Sequence, residues 1–252
     1  MPMAEMHLTK RRLLGGIAVV AVSAVLAACN DSKDAADAAP ANGVDTSIKT
    51  GATSNVEIPQ SDGDVNMAEA LKPGPLPDMA LGKADAPVKI IEYMSMTCPH
   101  CAHFHNTTFD EIKKKYVDTG KVQFIIREFP FDPRAAAAFM LARCNPAKPS
   151  ELSTADTYFP MVSMLFKQQQ TWAAADDGRA ALLQMSKLAG FTQESFEACL
   201  TNQKLLDDVN ATRERGAKEF GVNATPTFLI NGKRYSGDMT VETMSALIDS
   251  LL

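Results

Sequence analysis

Four consecutive residues, Cys98-Pro99-His100-Cys101, carry the most reactive chemistry in the sequence. Two cysteines three positions apart lie about one turn from each other on a helix. Their sulfurs can then bond and separate with little backbone movement. Taken alone, a Cys-x-x-Cys is equally a structural pair or half a zinc site. The flanks favour redox chemistry. Cys98 follows an apolar run, and Pro99 suits the first turn of a helix, so Cys98 is expected at a helix N-terminus. Free N–H groups and the helix dipole stabilise a thiolate there, and a protonated His100 adds a second positive influence. Cys98 is therefore the expected nucleophile, ionising in a range of about 3.5–7.5, and Cys101 the resolving thiol. A stabilised thiolate stabilises the dithiol and makes the corresponding disulfide oxidising. His103 and His105 follow on the same segment. Cys101 and His105 share a helix face, and with Cys98 and His103 they suggest zinc or copper. One helix cannot aim all four side chains at one point, so no metal and no cofactor are expected. Both histidines are assigned to surface or domain contacts.

Several elements must position this group. Residues 88–94 are a β-type run with few polar positions, expected as a buried strand. Phe104, Thr108, Ile112 and Tyr116 recur at helical spacing after Pro99, and Gly120 is a stop signal. Residues 122–129 form the next strand, completing a βαβ unit. Residues 133–220 show helical patterns only, at 135–143, 158–169, 178–188, 194–206 and a last stretch reaching 219. Strand character returns at 227–230. Asn231-Gly232 is a hairpin turn, 233–236 the returning strand and 241–252 a closing amphipathic helix. The expected fold class is α/β: a thioredoxin fold, βαβ…ββα, at 78–132 and 221–252. The helices of 133–220 form an inserted all-helical subdomain.

The chain has 252 residues, a formal net charge of −5 and no internal repeat. An acidic chain without a basic stripe argues against nucleic acid as a partner. Lys10-Arg11-Arg12 precede 16 uncharged residues, 13–28, which read as an export signal over 1–28 rather than a bilayer span. Removing Glu5, Lys10, Arg11 and Arg12 leaves the mature chain near −7. Leu26-Ala27-Ala28-Cys29 resembles the lipobox of bacterial lipoproteins, which implies a lipid anchor on Cys29. The alternatives are a plain cleaved signal or a single membrane anchor. Residues 30–63 have almost no large apolar side chain, and Pro73-Gly74-Pro75-Leu76-Pro77 breaks any helix begun at 64–72. A flexible tether over 29–77 is expected, with the folded domain starting near Asp78. Five cysteines is an odd number for an oxidising compartment. A lipidated Cys29 leaves four. Cys144 and Cys199 then read as a structural disulfide, with two buried free thiols as the alternative. The methionines nearby are expected as core.

Ile91-Glu92-Tyr93 through Cys98-Pro99-His100-Cys101 resembles the strand and active site of the DsbA family of periplasmic oxidases. That likeness extends over roughly 78–252. It implies a role for Glu92, six residues before Cys98, in moving protons, with an ordinary strand carboxylate as the alternative. It also implies that Thr225-Pro226 is the cis-proline pair that meets an extended substrate peptide. Reduced or misfolded exported proteins are the implied substrates, and a membrane quinone-linked or other reoxidising protein the implied partner. One departure stands out. The founding oxidases have Val before the cis-proline. Thr is common in isomerases and reductases, so Thr225 leaves the direction open. A metal-binding periplasmic lipoprotein is the more distant alternative.

Overall fold

The computed structural model describes residues 56–252. The export signal, the proposed lipidation residue Cys29 and most of the expected tether lie outside the described residues. Among the described residues no helix is long and apolar enough to cross a membrane.

The chain opens with a short strand, β1 (Gly63–Asp64), a helical turn, α1 (Met67–Ala70), and β2 (Met79–Leu81). Next comes the unit that holds the Cys-x-x-Cys: β3 (Val88–Met94), α2 (Pro99–Thr107), α3 (Phe109–Ile112), a π-helical turn at Lys113–Val117, and β4 (Val122–Glu128). The inserted block contains α4 (Pro133–Arg143), β5 (Cys144–Asn145), β6 (Lys148–Leu152), α5 (Ala155–Lys167), α6 (Gln169–Ala173), α7 (Gly178–Leu188), α8 (Gln193–Leu200) and α9 (Gln203–Phe220). The hairpin β7 (Thr227–Ile230) and β8 (Lys233–Ser236) and the helix α10 (Val241–Asp249) close the chain.

One six-stranded sheet has the order β1-β8-β7-β3-β4-β2. β3 is central, parallel to β4 and antiparallel to β7. Its side chains alternate between two layers, as a pleated strand requires. Ile90 and Met94 join Phe104, Phe124, Phe166 and Phe228 under α2 and the helical block. Ile91 and Tyr93 join Ile125, Phe129, Phe220 and Leu229 on the other face. Glu92 shares the Ile90–Met94 face and is fully buried on it. The β7–β8 turn places Asn231 at φ 42° and Gly232 at φ 93°, the left-handed pair a tight hairpin needs. This is the expected thioredoxin-type arrangement with an insertion between β4 and β7.

Four expectations need correction. The folded unit begins before Asp78. Asp62 and Val65 donate backbone bonds to Arg234 and Gly232, Ala70 and Leu76 are buried, and Arg215 bonds the Glu69 and Lys72 carbonyls. Backbone pairing of two polar residues carries no hydrophobic signal, so β1 was invisible to patterning. The edge strand β2, antiparallel to β4, was missed because three residues are too short a period. The insertion is not all-helical either: β5 and β6 form a hairpin whose strand Lys148–Leu152 lies mostly at the surface, without apolar alternation. Finally, the helix from Pro99 breaks at Thr108, at φ −118°, where the hydroxyl donates to Met239 O at 2.9 Å.

Candidate active site

Cys98 is the N-cap of α2, in extended conformation, with Pro99 in the first turn. The preceding loop is held from three sides. Cys98 N donates to Ser95 O at 3.1 Å. Thr97 donates its hydroxyl to Asp132, which also caps α4 through Ala135 N. Gln169 Nε2 donates to Met96 O and Cys98 O, both at 2.9 Å. The insertion thus braces the loop through one buried amide. Gln169, Thr97 and Asp132 were not anticipated. Asp132-Pro133 is a readable helix start, whereas nothing in the sequence singles out Gln169.

The two thiols differ sharply. Cys98 is partly exposed and Cys101 is sealed from solvent, and neither is bonded. The Cys98 thiol is lowered from 9.0 to about 5. The largest cause is the hydrogen bond from the Cys101 thiol. Burial opposes it, and the Thr225 hydroxyl and the N–H groups of Cys101 and His100 add to the lowering. As a thiol, Cys98 Sγ donates to Thr225 O at 3.2 Å. The Thr225 hydroxyl, buried and otherwise unpartnered, is free to donate to the thiolate. Burial pushes Cys101 well up. The hydrogen bond to Cys98 and the charge of Glu92 push the same way. One helical turn therefore separates a thiol that ionises readily from one that resists ionisation.

The Thr225–Pro226 peptide bond is cis, and it brings the Thr225 carbonyl to the Cys98 sulfur. His100 stands at the surface beside Cys98. Its imidazole is exposed, with Nδ1 4.0 Å from Asp238 Oδ1, and its backbone N–H adds to the lowering of Cys98. His103 lies on the surface as expected, 2.7 Å from Asp238 Oδ2. His105 corrects the sequence reading. It is buried, with Nε2 2.9 Å from Glu92 Oε2. Cys101, His105, Thr108 and Ile112 all face inward at helical spacing, a signal that could have placed it. His103 and His105 therefore face different carboxylates, Asp238 and Glu92. Among the described residues no three His, Cys, Asp or Glu side chains converge as a metal site. Cys144 and Cys199 are joined by a disulfide with Cα atoms 5.9 Å apart, tying the end of α4 to α8. A cleft of about 480 Å³ runs beside α2, lined by Pro99, His103, Asn106, Gln168 and Thr171.

A family model described as Thioredoxin matches residues 76–250. Wolbachia pipientis alpha-DsbA1 superposes with a TM-score of 0.65 at 31% identity, over 74% of this chain and 96% of that one. This chain belongs to the DsbA-like group of the thioredoxin family. A Rickettsia conorii relative named "Putative protein-disulfide oxidoreductase" is 34% identical over 175 residues, 69% of this chain. The match spans only about 60% of that relative's length. BdbD from Bacillus subtilis shares the fold, with a TM-score of 0.58 at 20% identity over 77% of this chain and 98% of that one. The DsbA-like group is thus established by the whole region from the end of the expected tether to α10.

Proposed function

We propose that this DsbA-like chain is an exported thiol:disulfide oxidoreductase that gives its Cys98–Cys101 disulfide to reduced or misfolded exported proteins. One observation carries this: an accessible Cys98 ionising at about 5 beside a buried, hard-to-ionise Cys101. In the first step a substrate thiolate attacks Cys98 Sγ, and the electron pair of the S–S bond leaves on Cys101. In the second, another substrate thiolate attacks its own sulfur in the mixed disulfide. Cys98 leaves as a thiolate and the substrate gains a disulfide. The low Cys98 pKa makes it a good leaving group and stabilises the reduced protein, so electrons flow from substrate to enzyme. Pro99 opens the helix that supplies the N–H groups. His100 contributes one of those N–H groups, Thr225 presents its carbonyl and hydroxyl next to the mixed disulfide, and Pro226 follows it across the cis bond. Glu92 acts on the Cys101 proton, and the Cys144–Cys199 bridge is structural. No cofactor takes part. Return to the disulfide form falls to a membrane quinone-linked or other reoxidising protein.

The leader and Cys29 support a periplasmic site with a lipid anchor on the membrane. Isomerisation is the second reading, favoured by the unpartnered Thr225 hydroxyl at the sulfur. Redox titration of the Cys98–Cys101 pair against glutathione tests the direction. A potential well above about −200 mV supports the oxidase, and one near about −270 mV overturns it.

A further inference from the structure

Nothing in the proposed exchange uses His105, yet it is the only imidazole the fold buries among the described residues. Its ring is packed against aromatic faces: Phe166 stacked at 4.7 Å, Phe109 at 4.8 Å and Phe104 edge-on at 5.5 Å. Nε2 meets Glu92 Oε2 at 2.9 Å, and the other carboxylate oxygen, Oε1, is buried with no partner. Among the described residues Nδ1 makes no hydrogen bond, and it is not among the sealed polar atoms left without one. His105 therefore has one nitrogen on a buried carboxylate and the other at an opening toward water. Cys101 lies one turn back on the same helix face and feels the Glu92 charge. The titratable groups facing the pair are Cys101 from α2 and, beyond Glu92, Tyr158 from α5, which hydrogen-bonds Glu128 on β4, itself paired with Arg143 from α4. The aromatic neighbours from α3 and α5 carry no charge.

We propose that His105 and Glu92 form a buried proton-holding pair that delivers a proton to the Cys101 thiolate as it leaves, with His105 as the link to solvent. This rests on the oxidoreductase reading. When the substrate thiolate attacks Cys98, the Cys98–Cys101 bond breaks and its electron pair stays on Cys101 Sγ. A buried thiolate beside a buried carboxylate costs heavily in a medium of low polarity. A proton held between Glu92 and His105 passes to Cys101 from the unpartnered Oε1 side. The pair is then left with one negative charge, and a proton from water entering at Nδ1 restores it. In the reverse direction the pair accepts the Cys101 proton before Cys101 attacks the mixed disulfide. His105 never touches substrate and is a positioning residue for this proton.

The test compares oxidised full-length wild type with His105→Gln, which keeps an amide N–H for Glu92 but cannot titrate. Reduction by dithiothreitol is followed by quenched alkylation from pH 5.5 to 8.5, and the ratio of variant to wild-type rates is taken at each pH. That ratio removes the pH dependence of the reductant. The expected variant is about 10-fold slower at the acid end, less than general acid catalysis commonly contributes because a thiolate leaves unaided. The ratio depends on pH and climbs toward one by the alkaline end. A ratio constant with pH means a merely structural role and overturns the proposal. If His105→Gln does not fold, the imidazole Hε1 signal of wild-type His105 is titrated by NMR in the oxidised and reduced proteins. Linkage requires its midpoint to differ between them, and an identical midpoint overturns the proposal. Should the wild-type disulfide react no faster than a simple peptide disulfide, the oxidoreductase reading falls and this proposal falls with it. Rapid exchange with a flat ratio removes the His105 proposal alone.

Discussion

The molecule holds two cysteine pairs, and they are built to opposite ends. Cys98 and Cys101 occupy the first turn of a helix, one sulfur partly exposed and facing Thr225, the other buried, with no bond between them. Cys144 and Cys199 lie 55 residues apart, both buried, and are joined across α4 and α8. Helix N–H groups and a partner thiol make the first pair unequal, which is what exchange requires. The second pair is buried at both sulfurs and closes a long loop, which suits a clamp. Cysteine chemistry here is decided by surroundings rather than by the residue.

That contrast can be broken most directly at Cys98. Cys98→Ala should drop exchange with a peptide disulfide to background, whereas Cys101→Ala should accumulate the mixed disulfide on Cys98, visible as an added mass. Equal loss without a trapped adduct would contradict the assigned order of attack. The pH behaviour comes next. Iodoacetamide should modify the reduced wild type at Cys98 with a midpoint near pH 5, far below the ordinary thiol value of 9.0, while Cys101 stays unreactive. Because the folded Cys98 ionises below its unfolded value, its thiolate stabilises the reduced fold fully above pH about 9. That contribution shrinks below it and is lost as pH falls through about 5. Denaturant midpoints of the reduced protein should drop accordingly between these limits, and the oxidised protein should lack this component.

The clamp is sharpened by removing it. Cys144→Ala with Cys199→Ala should cost about 4 kcal/mol by loop closure over 55 residues, an upper bound, read as a lower denaturant midpoint. Exchange at 25 °C should stay within about twofold, and a parallel collapse of exchange would mean that the two pairs are coupled. A smaller effect is expected at Gln169→Ala. It leaves the Met96 and Cys98 carbonyls without their shared donor, for a loss of about 1–3 kcal/mol. The smallest is Thr225→Val, which removes one hydroxyl from Cys98 and should raise its alkylation midpoint by roughly half a pH unit.

Much of the site could be read from the chain because its parts are local. A β-type run, Cys98, the N1 proline and Cys101 fall within 88–101, and helix starts obey short-range rules. The Asn231-Gly232 hairpin is equally local. Glu92 was found only through likeness to a family, and its burial depends on α2 and the helical block covering its face of β3. His105 reads as a surface residue within 98–105 alone, because that short run does not reveal which face of α2 meets the sheet. β1 and the β5–β6 hairpin were missed since polar backbone pairing leaves no hydrophobic period.

The sequence alone determined that a thiol pair stands at a strand-to-helix junction within a βαβ…ββα chain. Spacing, proline and turn residues act over a few positions and need no distant partner. Tertiary structure alone decided what those thiols experience. Thr225 reaches Cys98 across 127 residues and Gln169 across 71, and His105 finds Glu92 on another element. Ionisation depends on burial and on nearby donors and charges, and those are set by which remote segments the fold brings together.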